Sequence, residues 1–183
     1  MSFTSSLDFR TWLAKNHGLS AGIWLRIYKK NSGVTTVTYS EAVDQAICFG
    51  WIDGQKKPND KQSWLQKFTL RRPKSGWSKN NTQHAERLIK SGEMNPAGLK
   101  EVEAAKTDGR WRAAYDSFGK AAVPDDFLKA LAGNGKAKAF FETLSKTNLY
   151  SITYRLQTAK KPETRQKRIR AIIEALSRGE KFH

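Results

Sequence analysis

Apolar residues recur at helical spacing near the start of the chain, where Phe9, Trp12 and Leu13, followed by the polar Asn16, fall at i, i+3, i+4 and i+7. With Ser6 placed to cap and Asp8 in the first turn, this predicts an amphipathic helix ending near Gly18. The period then shortens to two. Ile23, Leu25 and Ile27 alternate with Trp24, Arg26 and Tyr28, which predicts a strand with one aliphatic face and one aromatic, basic face. Asn31-Ser32-Gly33 turns the chain, and the β-branched run from Val34 to Tyr39 predicts a returning strand.

Helical spacing resumes after Ser40, a capping residue, with Val43, Ala46 and Ile47 on the buried side and Gly50 just past the end. Asp53-Gly54 is a turn dipeptide, and Trp64 to Thr69 predicts another strand. Ser78 caps a helix carrying Ala85, Leu88 and Ile89 and stopped by Gly92. Asn95-Pro96 opens a further helix, with Leu99 and Val102 facing inward, that ends at Asp108-Gly109.

The pattern weakens up to Val123, and Gly119 to Pro124 reads as a domain boundary. Beyond it the spacing is helical throughout. Phe127, Leu128 and Leu131 follow Pro124; Ala137, Phe140, Phe141 and Leu144 follow the break at Gly133 and Gly135. Thr147 caps a stripe of Leu149, Ile152 and Leu156, and Pro162 opens one of Ile169, Ile172, Ile173 and Leu176. The expected fold is α+β: residues 1–118 form a small antiparallel sheet with covering helices, and residues 119–183 form an all-helical domain.

Charge changes the picture from a bare fold to a class of partner. Lys and Arg outnumber Asp and Glu by 33 to 17, a net charge of +16, so the chain attracts polyanions at long range. Candidate partners are an anionic small molecule, an acidic protein surface and nucleic acid. The single cysteine, Cys48, excludes an internal disulfide and suits a reducing compartment. No apolar stretch approaches the roughly 18 residues of a membrane span. Asp8, Arg10 and Lys15 interrupt any signal-peptide core. The expectation is a cytoplasmic protein.

The densest candidate site is Arg71-Arg72-Pro73-Lys74-Ser75-Gly76-Trp77-Ser78. Guanidinium groups, loop amides and a helix N-terminus meet there, the combination that holds phosphate or carboxylate, and Asn81 adds a neutral donor. Trp51, Asp53 and Trp64 flank the same region; Asp53 is placed to orient a loop arginine or a ligand hydroxyl, or simply to make a turn, and both tryptophans also read as packing. A second basic surface runs from Lys160 to Arg170, with Arg165 and Arg168 three residues apart on one side of a helix. The regular aliphatic stripe explains that helix without any ligand.

Catalytic and cofactor signatures are missing. Cys48 ends a helix among apolar neighbours, where a thiolate is disfavoured. His17, His84 and His183 share no metal-ligand spacing, and no metal, nucleotide-loop or nucleophile-elbow motif occurs. No catalytic residue and no cofactor is therefore assigned.

The stretches YSEAVDQAICFGWIDG, FTLRRPKSGWSKNN, LIKSGEMNPAGL and LYSITYRLQTAKKPETRQKRI together resemble the bacterial bacteriocin-protection, YdeI/OmpD-associated family, and the resemblance extends over most of the chain. It implies an all-helical associated domain at the C-terminus and either protection against a toxin or a link with an outer-membrane protein, and it brings no reaction or cofactor. Carried over by residue, it marks Trp51, Asp53, Gly54, Arg71, Arg72, Trp77, Ser78 and Asn81.

Three functions follow from these readings. The first is a non-catalytic binding protein holding an anionic ligand or acidic partner on a basic, aromatic surface. The second is nucleic-acid binding through phosphate contacts and base stacking. The third is a hydrolase or transferase using Asp53 as base beside Arg71 and Arg72.

Overall fold

The computed structural model describes residues 1–19, 21–117 and 122–182. They form an α+β structure that divides into two compact units, Met1–Ala114 and Tyr115–His183. The boundary expected between residues 118 and 119, like His183, lies outside the described residues.

The first unit begins with α1 (Ser6–Asn16), capped by Ser5, whose hydroxyl accepts the N–H of Asp8. The cap is thus one residue earlier than the sequence suggested. Strand β1 (Ile23–Tyr28) follows with the expected alternation: Ile23, Leu25 and Ile27 are buried, while Trp24, Arg26 and Tyr28 are part exposed.

The returning strand expected over Val34 to Tyr39 does not form. Thr38 and Glu41 make a reciprocal capping box that starts α2 (Tyr39–Cys48) ahead of Ser40, and the Val37 N–H is taken by the carbonyl of Phe3. With two backbone N–H groups satisfied by the box, the helix wins over β propensity in this run. Its buried side holds Val43, Ala46 and Ile47 as expected, together with Ala42 and Cys48.

Asp53-Gly54 is not a turn either. Strand β2 (Trp51–Pro58) runs through it, with a register shift between Asp53 and Lys56 where it pairs with β3 (Ser63–Leu70). The chain reverses at Asp60 instead. Its carboxylate accepts the Gln62 N–H and the Ser63 hydroxyl, the side-chain-to-backbone closure that suits Asp to turns.

The sheet is antiparallel in the order β1-β3-β2, so β1 and β2 are its edges. Cross-strand register sorts its two faces. Ile23 faces Phe68 and Leu25 faces Gln66 on the buried side, whereas Trp24 faces Lys67, and Arg26 and Lys57 both face Leu65, on the other.

Helices α3 (Lys79–Lys90) and α4 (Pro96–Thr107) complete the unit, capped by Ser78 and Asn95 as expected. A Cβ on Gly98 would stand 2.3 Å from the carbonyl oxygen of Cys48, so only glycine lets α4 lie this close to the end of α2. Val102 and Leu88 are buried, but Leu99 and Ile89 point outward.

The second unit holds α5 (Asp125–Ala132), α6 (Gly135–Phe141), α7 (Lys146–Gln157) and α8 (Pro162–Ser177). Its core gathers Phe127, Leu131, Ile152, Leu156, Ile169, Ile172 and Leu176. Leu128 is exposed despite the expectation, and Ser145 rather than Thr147 caps α7.

Candidate functional site

The Arg71–Ser78 loop is built inward. Arg71 is 3 % exposed and lies flat on Trp77, its guanidinium carbon 3.5 Å from the ring centroid, while one terminal nitrogen donates to the Gly76 carbonyl at 3.2 Å. Trp77 packs in turn on Trp111, and the buried Arg110 donates to the Ser75 carbonyl from the other side. Pro73 and Lys74 occupy the centre of a turn closed by the Ser75 N–H on the Arg72 carbonyl, with Lys74 at φ +65°. Ser78 accepts the N–H of Asn81, and both are buried. Of the cations expected here, Arg72 and Lys74 face solvent and Arg71 does not.

Trp51 and Asp53 have their side chains engaged elsewhere, although the Arg71 N–H bonds the Gly50 carbonyl next to Trp51. Trp51 is fully buried, donates its indole N–H to the His17 carbonyl at 2.7 Å and meets Trp12 edge-on. Asp53 accepts the Tyr39 hydroxyl at 2.6 Å. Desolvation of that hydroxyl, together with the Asp53 charge, raises the Tyr39 pKa and keeps the phenol protonated. Burial likewise pushes the Cys48 thiol up.

A more open basic, aromatic surface lies on the sheet. Lys57 reaches across β3 to bring its ammonium 4.4 Å from the ring centroid of Trp24, and Lys67 approaches the same ring at 5.6 Å while donating to the Ala21 carbonyl. Arg26 stacks on Tyr28 at 4.4 Å and pairs with Asp60. On the opposite side of β2, Lys56 stands 4.7 Å from the Trp64 ring. A pocket of about 420 Å³ opens there, lined by Lys29, Lys56, Pro58, Asp60, Ser63 and Trp64. The Trp64 indole N–H is buried and meets no acceptor among the described residues. Hydrogen bonds from the Ser63 side chain and the Gln62 N–H, with the nearby Arg26 charge, hold the Asp60 carboxyl below its ordinary range. It is the one carboxylate in that lining.

Sequence reasoning left Lys56 and Lys57 in a polar stretch after Asp53-Gly54 and took Trp64 mainly as packing beside the candidate loop. The signal that was present is the alternation in β1, which already put Trp24, Arg26 and Tyr28 on one face. It also missed the meeting of His84 with Asp44, across α3 and α2, with Arg87 on the same carboxylate.

In the second unit Arg165 is clamped by Asp126 and by the Leu156 carbonyl. The Asp126 carboxyl is lowered, chiefly by its hydrogen bond from Arg165. Arg168 donates to the Arg155 carbonyl and to the Thr158 hydroxyl, so both arginines tie α8 to its neighbours; Lys160 is exposed. A surface pocket of about 380 Å³ adjoins Arg168, Arg155, Tyr150 and Tyr154.

The first unit and the sheet surface fall within one family. A domain of unknown function, DUF8412, matches residues 1–101, more than half of the chain. The chain belongs to that family. Residues 120–179 match the family described as bacteriocin-protection, YdeI or OmpD-associated, so the DUF8412 region is followed by a YdeI/OmpD-associated domain. No match was found among curated proteins or solved structures. Among the described residues no helix is long and apolar enough to cross a membrane.

Proposed function

We propose that this chain is a non-catalytic binding protein of the cytoplasm, acting in the toxin or stress protection that its C-terminal family's name suggests. Its site is the open, basic-aromatic part of the three-stranded sheet, which holds a ligand or partner carrying several negative charges. One observation supports this reading above the others. Lys56 and Lys57 extend from edge strand β2 over Trp64 and Trp24, and no ion pair joins either lysine to a carboxylate among the described residues. Exposed ammonium groups held over indoles keep their charge available while the rings supply contact area.

The Arg71–Ser78 loop contributes less, because Arg71 faces inward and only Arg72 and Lys74 are presented to solvent. A reaction with Asp53 as base is the weaker reading, since its carboxylate is engaged by Tyr39.

Binding to heparin, polyphosphate and oligonucleotides at low and high salt tests the proposal. The double variant Lys56→Ala, Lys57→Ala is expected to lose roughly tenfold in affinity and to reduce the salt slope by about two, one for each charge removed. Arg72→Ala with Lys74→Ala is expected to lose less. Unchanged binding in the first double variant would remove the sheet as the site.

A further inference from the structure

Resting on that reading, we infer that the ligand is a single-stranded nucleic acid that passes over the edge of β2 and lays bases against Trp24 and Trp64. The cations alone would serve any polyanion. The rings and the central Leu65 would not: a polyphosphate has no ring at all, and a sulfated sugar has no planar aromatic face to stack on an indole. A duplex has its base faces stacked away inside, whereas each base of a single strand offers one. The ligand that uses both halves of this surface therefore alternates negative charge with exposed rings.

The arrangement of the strands fits that ligand twice. Lys56 and Lys57 are successive residues of one strand, so their side chains leave on opposite faces. Each meets a tryptophan there, Trp64 for Lys56 and Trp24 for Lys57. In each pair the ammonium lies within 5 Å of the ring centroid, close enough to meet the phosphate of a nucleotide whose base stacks on that ring. Because β2 is an edge strand, the two faces are joined around it by exposed residues from Gln55 to Pro58.

The two stations differ. At Trp24 the surface is open and flanked by Lys67 and by Leu65, with Arg26 and Tyr28 continuing along β1. At Trp64 the pocket of about 420 Å³ lies within the size range that encloses small ring-bearing ligands. Asp60 and Ser63 line it; the Asp60 oxygens already accept from Arg26, Asn59, Gln62 and Ser63, so what the carboxylate adds is a charge that opposes a phosphate while leaving the Trp64 ring to a base. The geometry thus puts the base in the pocket and the phosphate on the Lys56 and Lys29 side.

The test measures binding of the whole chain to labelled single-stranded DNA and RNA, to the same sequence as duplex, and to heparin, by fluorescence anisotropy at low salt. Single strands are expected to bind more tightly than duplex and to quench tryptophan emission. Trp24→Ala, checked for folding by circular dichroism, is expected to weaken single-strand binding by roughly five- to hundredfold, and by at least several times more than it weakens heparin binding. Trp24→Phe, which keeps a stacking face, is expected to recover most of the loss. Equal binding of single strand, duplex and heparin, with Trp24→Ala affecting all alike, would overturn the nucleic-acid inference and leave the polyanion reading standing. Absence of binding to every probe, or a Lys56→Ala, Lys57→Ala variant that binds heparin as well as the parent, would overturn both.

Discussion

Of the places in the first unit that set a cation on a tryptophan, two do so to opposite ends. At Arg71 and Trp77 both partners are buried, 3 % and 1 % exposed, and the pair closes a loop. At Lys57 and Trp24 the cation is exposed and the ring half covered, on the open face of the sheet. The residue types account for the difference. A guanidinium is planar and weakly hydrated, so it can lie flat on an indole inside the protein, as Arg71 does with one terminal nitrogen on the Gly76 carbonyl. An ammonium is compact and strongly hydrated, and over the Trp24 ring that of Lys57 stays exposed at the surface. The more arginine-rich of the two stretches is thus the internal one.

The sharpest way to break this contrast is Arg71→Ala. Removing the buried guanidinium loses its stacking on Trp77 and its bond to Gly76, and is expected to cost on the order of 3 kcal/mol of stability. A denaturant titration checks it. An unchanged midpoint would mean that the loop is not held by Arg71 and that the residue is available to a ligand after all.

That contrast also marks what the chain discloses before it is folded. The α+β order, the strands β1 and β3, the capping serine at 78 and the Asn95-Pro96 restart are local, and each is legible from a few neighbouring residues. The capping box at Thr38 and the course of β2 were obscured by competing local signals, a β-branched run in one case and Asp-Gly in the other. Of the candidate surface only the β1 face, with Trp24, Arg26 and Tyr28, could be read from neighbours in sequence. Trp24, Lys57 and Lys67 come from three strands and meet only through the register of β1 on β3 and β3 on β2. The linear cluster at Arg71–Ser78 drew attention because it was linear.

Lys74→Gly sharpens the structural half of the comparison at smaller cost. Lys74 holds φ at +65° in the second central position of a Pro73 turn, a conformation that glycine adopts without the Cβ penalty. The substitution is expected to raise stability by roughly 0.5–1 kcal/mol, read as a higher thermal midpoint, and to leave oligonucleotide affinity little changed. A fall in stability would show that the side chain of Lys74 helps to hold the loop.

On the sheet the expectation reverses. The Lys56→Ala, Lys57→Ala variant that loses anion binding is expected to keep its stability within about 1 kcal/mol, since both side chains are exposed, pair with no carboxylate among the described residues and touch only the surface of the Trp64 and Trp24 rings. A midpoint that drops as far as that of Arg71→Ala would place these lysines in the architecture and erase the distinction between the two sites.

The finest test is Asp60→Asn, because Asp60 belongs to both descriptions. Its carboxylate fixes the β2–β3 turn through Gln62 and Ser63 and pairs with Arg26, yet it is also the acidic group of the Trp64 pocket. Folding lowers its pKa from 3.8, so its contribution to stability is present above that value and disappears as pH falls through the folded-state pKa. Parent and Asp60→Asn should therefore differ slightly in thermal midpoint at neutral pH, with the parent higher, and converge in acid below the carboxylate range. Anion affinity should move the other way at neutral pH, rising in the variant as the opposing charge leaves the pocket. Were the midpoints to differ equally at all pH values, the turn would depend on the shape of the side chain and not on its charge; were affinity to fall with stability, Asp60 would be holding the binding surface in place rather than opposing the anion on it.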